Sequence, residues 1–230
     1  MPFLYFYCMH SIGLKWEFLK QNLILLPKKA IYWQEEKALI LADLHIGKVG
    51  HFRKAGIAIP KLLEQEELAT LSDLIREYNP KQLIFLGDLF HSDHNDDWNW
   101  LQLWRELFPD IKMILIQGNH DILNEEYYKQ AKFEVYPSLE MGPFIMVHDK
   151  KDLKKLQSTD LYALSGHIHP AIKLKGKARQ SLLLSCFLFG EKAAILPAFG
   201  KFTGKCCLAL DVNDVVFGIL EKKVLKLNLF

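Results

Sequence analysis

The seven residues QLIFLGD, Gln82–Asp88, decide how the rest of the chain is read. An unbroken apolar run closed by Gly-Asp is what a strand of a parallel sheet presents, because neither of its faces meets water. The same pattern stands upstream at Lys37–Asp43, KALILAD, and downstream at Lys112–Asp121, KMILIQGNHD. Between the first two runs, Lys61–Tyr78 places Leu62, Leu63, Leu71, Leu74 and Ile75 in a helical rhythm behind Pro60. Between the second and third, Trp98–Phe108 reads as another helix. The order β-α-β-α-β predicts a parallel sheet covered by helices. In such sheets the ligand crevice lies beyond the carboxyl ends of the strands, and each of these strands carries a polar cluster at that end.

The second half of the chain changes character. FIMVHD (Phe144–Asp149), YALSGHIHP (Tyr162–Pro170), LLLSCFLF (Leu182–Phe189), AAILPAFG, CCLALDV and VVFGILEKKVLKLNL are short β-rich runs parted by Gly, Pro and charged turns. A second sheet packed on the first is expected. The fold class is therefore α/β, with two packed mixed β-sheets flanked by helices, in one domain spanning 1–230. Whether residues 1–15 join that domain is open at this point.

The chain has 230 residues, half of them hydrophobic, and a formal net charge of only +2. That length suits one sizeable core, and the weak charge excess neither demands nor excludes a nucleic-acid partner. Cys8, Cys186, Cys206 and Cys207 show no CxxC spacing, so reduced thiols and a cytoplasmic location are expected rather than a disulfide framework or a zinc knuckle. The apolar opening lacks a basic leader and a small-residue cleavage site. Leu182–Phe189 falls far below the ~20 residues a membrane span needs and is expected to be a buried strand; no membrane partner is expected.

Five clusters of metal-ligating residue types fall at strand ends: Asp43 with His45, Asp88, Asn119-His120-Asp121, His148, and His167 with His169. Each alone is an ordinary turn residue. Together they exceed what one ion uses, and two divalent ions sharing a carboxylate, ~3.5–4 Å apart, would account for them.

In that order, DLH, GD, GNHD, a lone His after a strand and GHIH resemble the calcineurin-like metallophosphoesterases. HIGK with FRKAGI, GDLFHS, GHIHPA and LPAFGKFTG are similar to one subgroup, the bacterial ligase-associated DNA damage response endonucleases, often encoded with a DEXH helicase and a DNA ligase. The catalytic motifs span 37–170, and the subgroup likeness extends to about Thr203. The resemblance implies that Asp43, His45 and His169 bind one metal and Asn119, His148 and His167 the other, with Asp88 bridging. It implies that His120 acts on the substrate as a catalytic residue, oriented by Asp121. The implied function is hydrolysis of phosphodiester bonds, in DNA and in repair, by a hydroxide bridging the metals. A phosphomonoesterase or nucleotide phosphodiesterase would use the same ions, and a metal-binding docking subunit with little turnover is the alternative of another class. Manganese is the first expectation for the ions, with iron, zinc or cobalt also compatible. DNA ligase and the helicase are the implied partners. Two departures stand out: His148 is followed by Asp149 where the superfamily has glycine, and Lys205 replaces a second glycine.

Arg53 and Lys48 are candidates for contacting a substrate phosphate. Lys173, Lys175, Lys177 and Arg179 alternate as one strand face would, either against a DNA backbone or simply as a solubilising edge. Trp98, Trp100 and Trp104 are expected to pack in a core or interface, and His91 and His94 stand either at the crevice rim or on a surface loop.

Overall fold

The computed structural model describes residues 13–48, 62–91, 96–155, 160–176 and 180–229. The first sheet begins with an antiparallel meander, β1 (Leu14–Phe18), β2 (Gln21–Leu25), β3 (Ile31–Trp33) and β4 (Ala38–Leu41). From β4 it continues in parallel through β5 (Gln82–Phe85), β6 (Lys112–Ile116) and β7 (Phe133–Tyr136), in the order β1-β2-β3-β4-β5-β6-β7. Helices α1 (Leu62–Tyr78) and α2 (Asp96–Glu106) make the first two crossovers, and the short α3 (Glu125–Gln130) makes the third. Leu14 and Lys15 already pair with Leu25 and Ile24, so the chain belongs to the sheet from residue 14 onward.

The second sheet comprises β8 (Leu139–Met141), β9 (Phe144–Met146), β10 (Tyr162–Ser165), β11 (Pro170–Lys175), β12 (Ser181–Phe189), β13 (Ala193–Ile195), β14 (Cys206–Cys207), β15 (Val215–Ile219) and β16 (Val224–Leu227). Its order is β14-β11-β12-β13-β10-β9-β8, with β15 and β16 added beside β12. β10 runs parallel to both β9 and β13.

Strand alternation sorts the core into two layers. Ile40, Ile84 and Ile114 face the second sheet and meet Phe144, Met146, Leu164, Phe187 and Phe217. Leu39, Leu41, Leu83 and Phe85 point the other way and meet Leu71 and Leu74 of α1 and Trp98 and Leu101 of α2. Side chains two residues apart on a strand share a face, which is why the continuous apolar runs can fill both layers. Trp98 and Trp104 are buried as expected, whereas Trp100 is 55% exposed on the outer face of α2. The expectation of a buried strand at Leu182–Phe189 holds only for its second half: Cys186–Phe189 are buried, but Leu182 and Leu183 stand out into solvent, because that part of β12 pairs with β11 alone. Among the described residues no helix is long and apolar enough to cross a membrane.

Candidate metal centre

β4, β5, β6, β9 and β10 all end on one crevice. Asp43 N donates to Gly87 O, His45 N to Asp88 O and Gly166 N to His148 O, so the post-strand segments are laced together. The bridge Ala42↔Ala198 joins the two sheets at this rim. Five residues here hold the left-handed backbone: Asp43 (φ 54°), His45 (53°), Asp88 (51°), His167 (68°) and His169 (55°). Asp and His tolerate that region better than most side chains, yet it costs about 1–3 kcal/mol each and persists only where surroundings enforce it. Those sharp reversals aim all five side chains into the crevice.

The side chains form two adjoining groups, Asp43 with His45 and His169, and Asp88 with His148 and His167, each with its ligand atoms within 4.8 Å of one another. Asn119 joins the second, its Oδ1 lying 3.1 Å from His148 Nε2. Asp88 stands between the groups: Oδ2 faces His45 Nε2 at 3.7 Å and Oδ1 faces His148 Nε2 at 3.4 Å.

The polarity of these contacts is informative. His148 Nδ1 donates to Leu86 O at 2.9 Å, which assigns its proton there and leaves a lone pair on Nε2. That lone pair meets the carboxylate of Asp88, Asn119 Oδ1 and, at 3.1 Å, His167 Nδ1. His169 Nδ1 likewise donates to Gly204 O, and its Nε2 meets Asp43 Oδ1 at 3.4 Å. Nε2 of His45 and of His169 are buried without a hydrogen-bond partner. Burial first, then Lys48 and the neighbouring imidazoles of His91, His169 and His120, hold His45 down at about 2, so its ring is neutral. Acceptors facing acceptors in a buried site repel one another unless a cation lies among them. Mixed imidazole, carboxylate and amide oxygen donors are a set that divalent metals accept. The residues present therefore fit two such ions, one per group.

Glycines make room for this approach. A Cβ on Gly118 would strike Asp88 Oδ1 and the Asp88 backbone nitrogen, and one on Gly87 would strike the His148 ring. A Cβ on Gly166 would lie 2.6 Å from Asp43 Oδ2.

Asp121, expected to orient His120, makes four side-chain hydrogen bonds elsewhere. Its buried carboxylate accepts from the backbone nitrogens of Asp88 (2.8 Å), Leu89 (2.9 Å), Phe90 (3.1 Å) and Gly118 (2.8 Å). These four bonds fix the loop that presents Asp88 and the turn before Asn119, and they go to backbone rather than to the His120 ring. Burial, opposed by these donors, pushes Asp121 up to about 6. His120 donates its backbone N–H to Asp88 Oδ1, and its half-buried ring lies tilted by 40° against His91, centroids 4.1 Å apart, with the His45 centroid 5.5 Å away. His91, undecided from sequence, thus sits in the crevice, its Nδ1 3.2 Å from His45 Nδ1. The bridge Ile46↔Phe90 brings it there, a pairing no local sequence signal announces.

Asp149 approaches Nε2 of His167 at 3.7 Å, so this departure sets an acidic group behind a candidate ligand. Lys48 is half-buried, and Asp88 and Asp43 partly offset the burial that lowers its pKa, which places its ammonium beside the centre. Arg53, His94, Lys177 and Arg179 lie outside the described residues. The segment Ala198–Gly204 braces the first group: Phe199 N donates to Ala42 O, Gly200 N to Asp43 O, and Gly204 O receives His169. Buried Glu67 of α1 pins this segment by accepting Lys201 N at 2.5 Å. Cys186 is buried and Cys206 and Cys207 are exposed; all three are free thiols.

The calcineurin-like phosphoesterase family model matches residues 37–184. The crystal structure of Pseudomonas putida nuclease MPE superposes with a TM-score of 0.77 and 30% identity, covering 94% of this chain and all of that one. Yfce, a phosphoesterase from E. coli, is more distant, with a TM-score of 0.43 and 11% identity over 79% of this chain and 86% of its own. No curated protein sequence matches. The family match across most of the chain and the nuclease likeness across nearly all of it agree with the crevice chemistry, and this chain belongs to the calcineurin-like phosphoesterases, metal-dependent hydrolases of ester bonds.

Proposed function

We propose that the chain hydrolyses phosphodiester bonds in DNA, as an endonuclease, at a centre of two divalent ions. The observation that carries this reading is Asp88, whose two carboxylate oxygens face the imidazole Nε2 atoms of two separate ligand groups. Asp43, His45 and His169 would hold one ion and Asn119, His148 and His167 the other, with Asp88 shared. Such a pair, when bound, supplies Lewis acidity toward phosphoryl oxygens and a nucleophile at neutral pH.

The chain's own residues supply orientation and protons. Leu86 O and Gly204 O fix the tautomers of His148 and His169, and Asp121 fixes the Asp88 loop. His120, outside the two ligand groups and beside His45 and His91, would protonate the leaving oxygen or stabilise charge on the phosphoryl group. Lys48 can neutralise a phosphate oxygen at the crevice. Likeness to a nuclease over nearly the full length supports a diester rather than a monoester substrate. In this reading the chain acts in DNA repair in the cytoplasm, beside a DNA ligase and a DEXH helicase, and uses manganese.

The test is hydrolysis of bis-p-nitrophenyl phosphate, p-nitrophenyl phosphate and DNA by metal-stripped protein with manganese restored. Manganese-dependent cleavage of the diester and of DNA is expected. Monoester turnover alone would make the chain a phosphatase, and metal binding without turnover of any of the three would make it a docking subunit.

A further inference from the structure

The register of the second sheet sets a two-stranded arm beside the metal centre. Ser165, the last residue of β10 before the Gly166-His167 ligand loop, pairs with Ile195, and Ile195 pairs with Leu188. Leu188 is therefore level with the floor of the crevice. From there back to Ser181, β12 runs seven residues further out, about 23 Å of extended chain beyond that floor. β11 leaves directly from His169 and pairs with this outer part, Ala171 to Ser185 and Lys175 to Ser181. Past the short contact of β14 with Pro170 and Ala171, and short of the first β15 partner at Cys186, the pair β11–β12 stands alone among the described residues.

Its composition departs from the rest of the chain. Overall there are 29 Lys and Arg against 27 Asp and Glu, yet Leu161–Gly190 contains four cations and no carboxylate. Lys173 and Lys175 are exposed and share one face, about 6.6 Å apart along the strand, close to two 3.4 Å rises of a nucleic-acid strand. Lys205 lies just before β14 and crosses β11 to place Nζ 3.4 Å from Leu183 O. On the same arm Leu182 is 53% and Leu183 41% exposed, large apolar surface that no core covers.

We infer that the β11–β12 arm holds the polynucleotide on one side of the scissile phosphate, with Lys173, Lys175 and Lys205 on its phosphates and Leu183, which pairs with Lys173 and so shares its face, against sugars or bases. A two-stranded ribbon is of a size to enter the major groove, and its cations would neutralise phosphates with release of counterions. This inference rests on the nuclease reading above.

The experiment compares the Lys173→Ala/Lys175→Ala chain with wild type, both loaded with manganese, on bis-p-nitrophenyl phosphate and on a DNA long enough to lie along the arm. The small diester cannot reach from the metals to the arm, so its turnover is expected to stay at the wild-type level. The kcat/KM for DNA is expected to fall about tenfold, and its log–log dependence on salt to lose about 1.4–1.8 in slope for two contacts. Lys173→Arg/Lys175→Arg should restore both. Unchanged DNA cleavage and salt slope would overturn the arm's role and leave the nuclease reading standing. Equal loss on both substrates would show a merely structural role and overturn it as well. A wild-type chain that turns over the small diester but leaves DNA intact would remove the nuclease reading and this inference together.

Discussion

Asp88 Oδ2 faces His45 Nε2 at 3.7 Å, a carboxylate against an imidazole that burial keeps neutral and whose Nε2 has no hydrogen-bond partner. On its other side the same carboxylate faces His148, Oδ1 lying 3.4 Å from Nε2. Replacing Asp88 by Asn removes the one carboxylate charge that both groups share and turns one edge into an N–H donor. Diester turnover at saturating manganese should fall by more than the about 10–100-fold that loss of an outer-shell partner costs. The check is kcat for bis-p-nitrophenyl phosphate alongside bound manganese.

Gly118→Ala tests the crowding around the same residue. The new methyl would overlap Asp88 Oδ1 and its backbone nitrogen, so either the carboxylate or the turn before Asn119 must shift. A misplacement of about 1 Å near the reacting groups can cost on the order of 100-fold in rate. Metal titration and kcat should both suffer; wild-type values for both would show that the Asp88 position is not critical.

Asp121→Asn separates holding the loop from acting on substrate. The amide can accept from some of the four backbone nitrogens, but its NH2 edge must face at least one N–H. One unsatisfied buried donor costs about 1–3 kcal/mol, or about 2–12 °C in Tm for a chain of this size. Thermal unfolding of the metal-free chain reads this directly. If Asp121 instead worked through His120, stability would be unchanged and only the pH profile would move.

His120→Ala should leave manganese binding intact while slowing the reaction. If the ring protonates the leaving group, the loss should be small for nitrophenol, a good leaving group, and approach about 10²–10⁴-fold for DNA, whose leaving group is an alcohol. Rates for a series of aryl and alkyl diesters provide the measurement.

Glu67 gives a pH signature in stability. Burial raises it from 4.5 to about 7, against the opposing pull of Lys201 N–H and of Lys201 and Lys29. In the unfolded chain it ionises near 4.5 and in the folded chain near 7, so between those values the folded state holds the extra proton. Stability from this group is present below about 4.5 and is lost as pH rises through 7. Glu67→Gln should remove that loss: the variant's Tm relative to wild type should rise from pH 5 to pH 8, by the equivalent of about 1–3 kcal/mol. A difference that stays constant with pH would contradict it.

Much of the centre was legible because its residues carry chemistry at fixed strand ends. Parallel strands ending in Asp, Asn or His announce themselves as apolar runs, and Asp43, Asp88, Asn119 and the histidines followed from those ends. The β1–β3 meander was not legible: the turn between β1 and β2 uses Leu19 (φ 50°) and Lys20 (φ 61°), where the usual signal would be Asn-Gly. The backbone bonds of Asp121 were not legible because its partners are amides from another strand's loop, which no side-chain pattern records. His91 enters the crevice through the long-range pairing of Ile46 with Phe90. The exposed leucines of β12, Leu182 and Leu183, are as apolar as its buried residues, and the pairing partners tell them apart.

In the centre proposed above, the two ligand groups joined by Asp88 would hold two ions. Equilibrium dialysis of metal-stripped chain against manganese, followed by elemental analysis, tests it most directly. The account predicts two manganese ions per wild-type chain and a loss of stoichiometry or affinity at both sites in Asp88→Asn. One ion per chain in a fully active wild type, or two ions bound unchanged in Asp88→Asn, would contradict it.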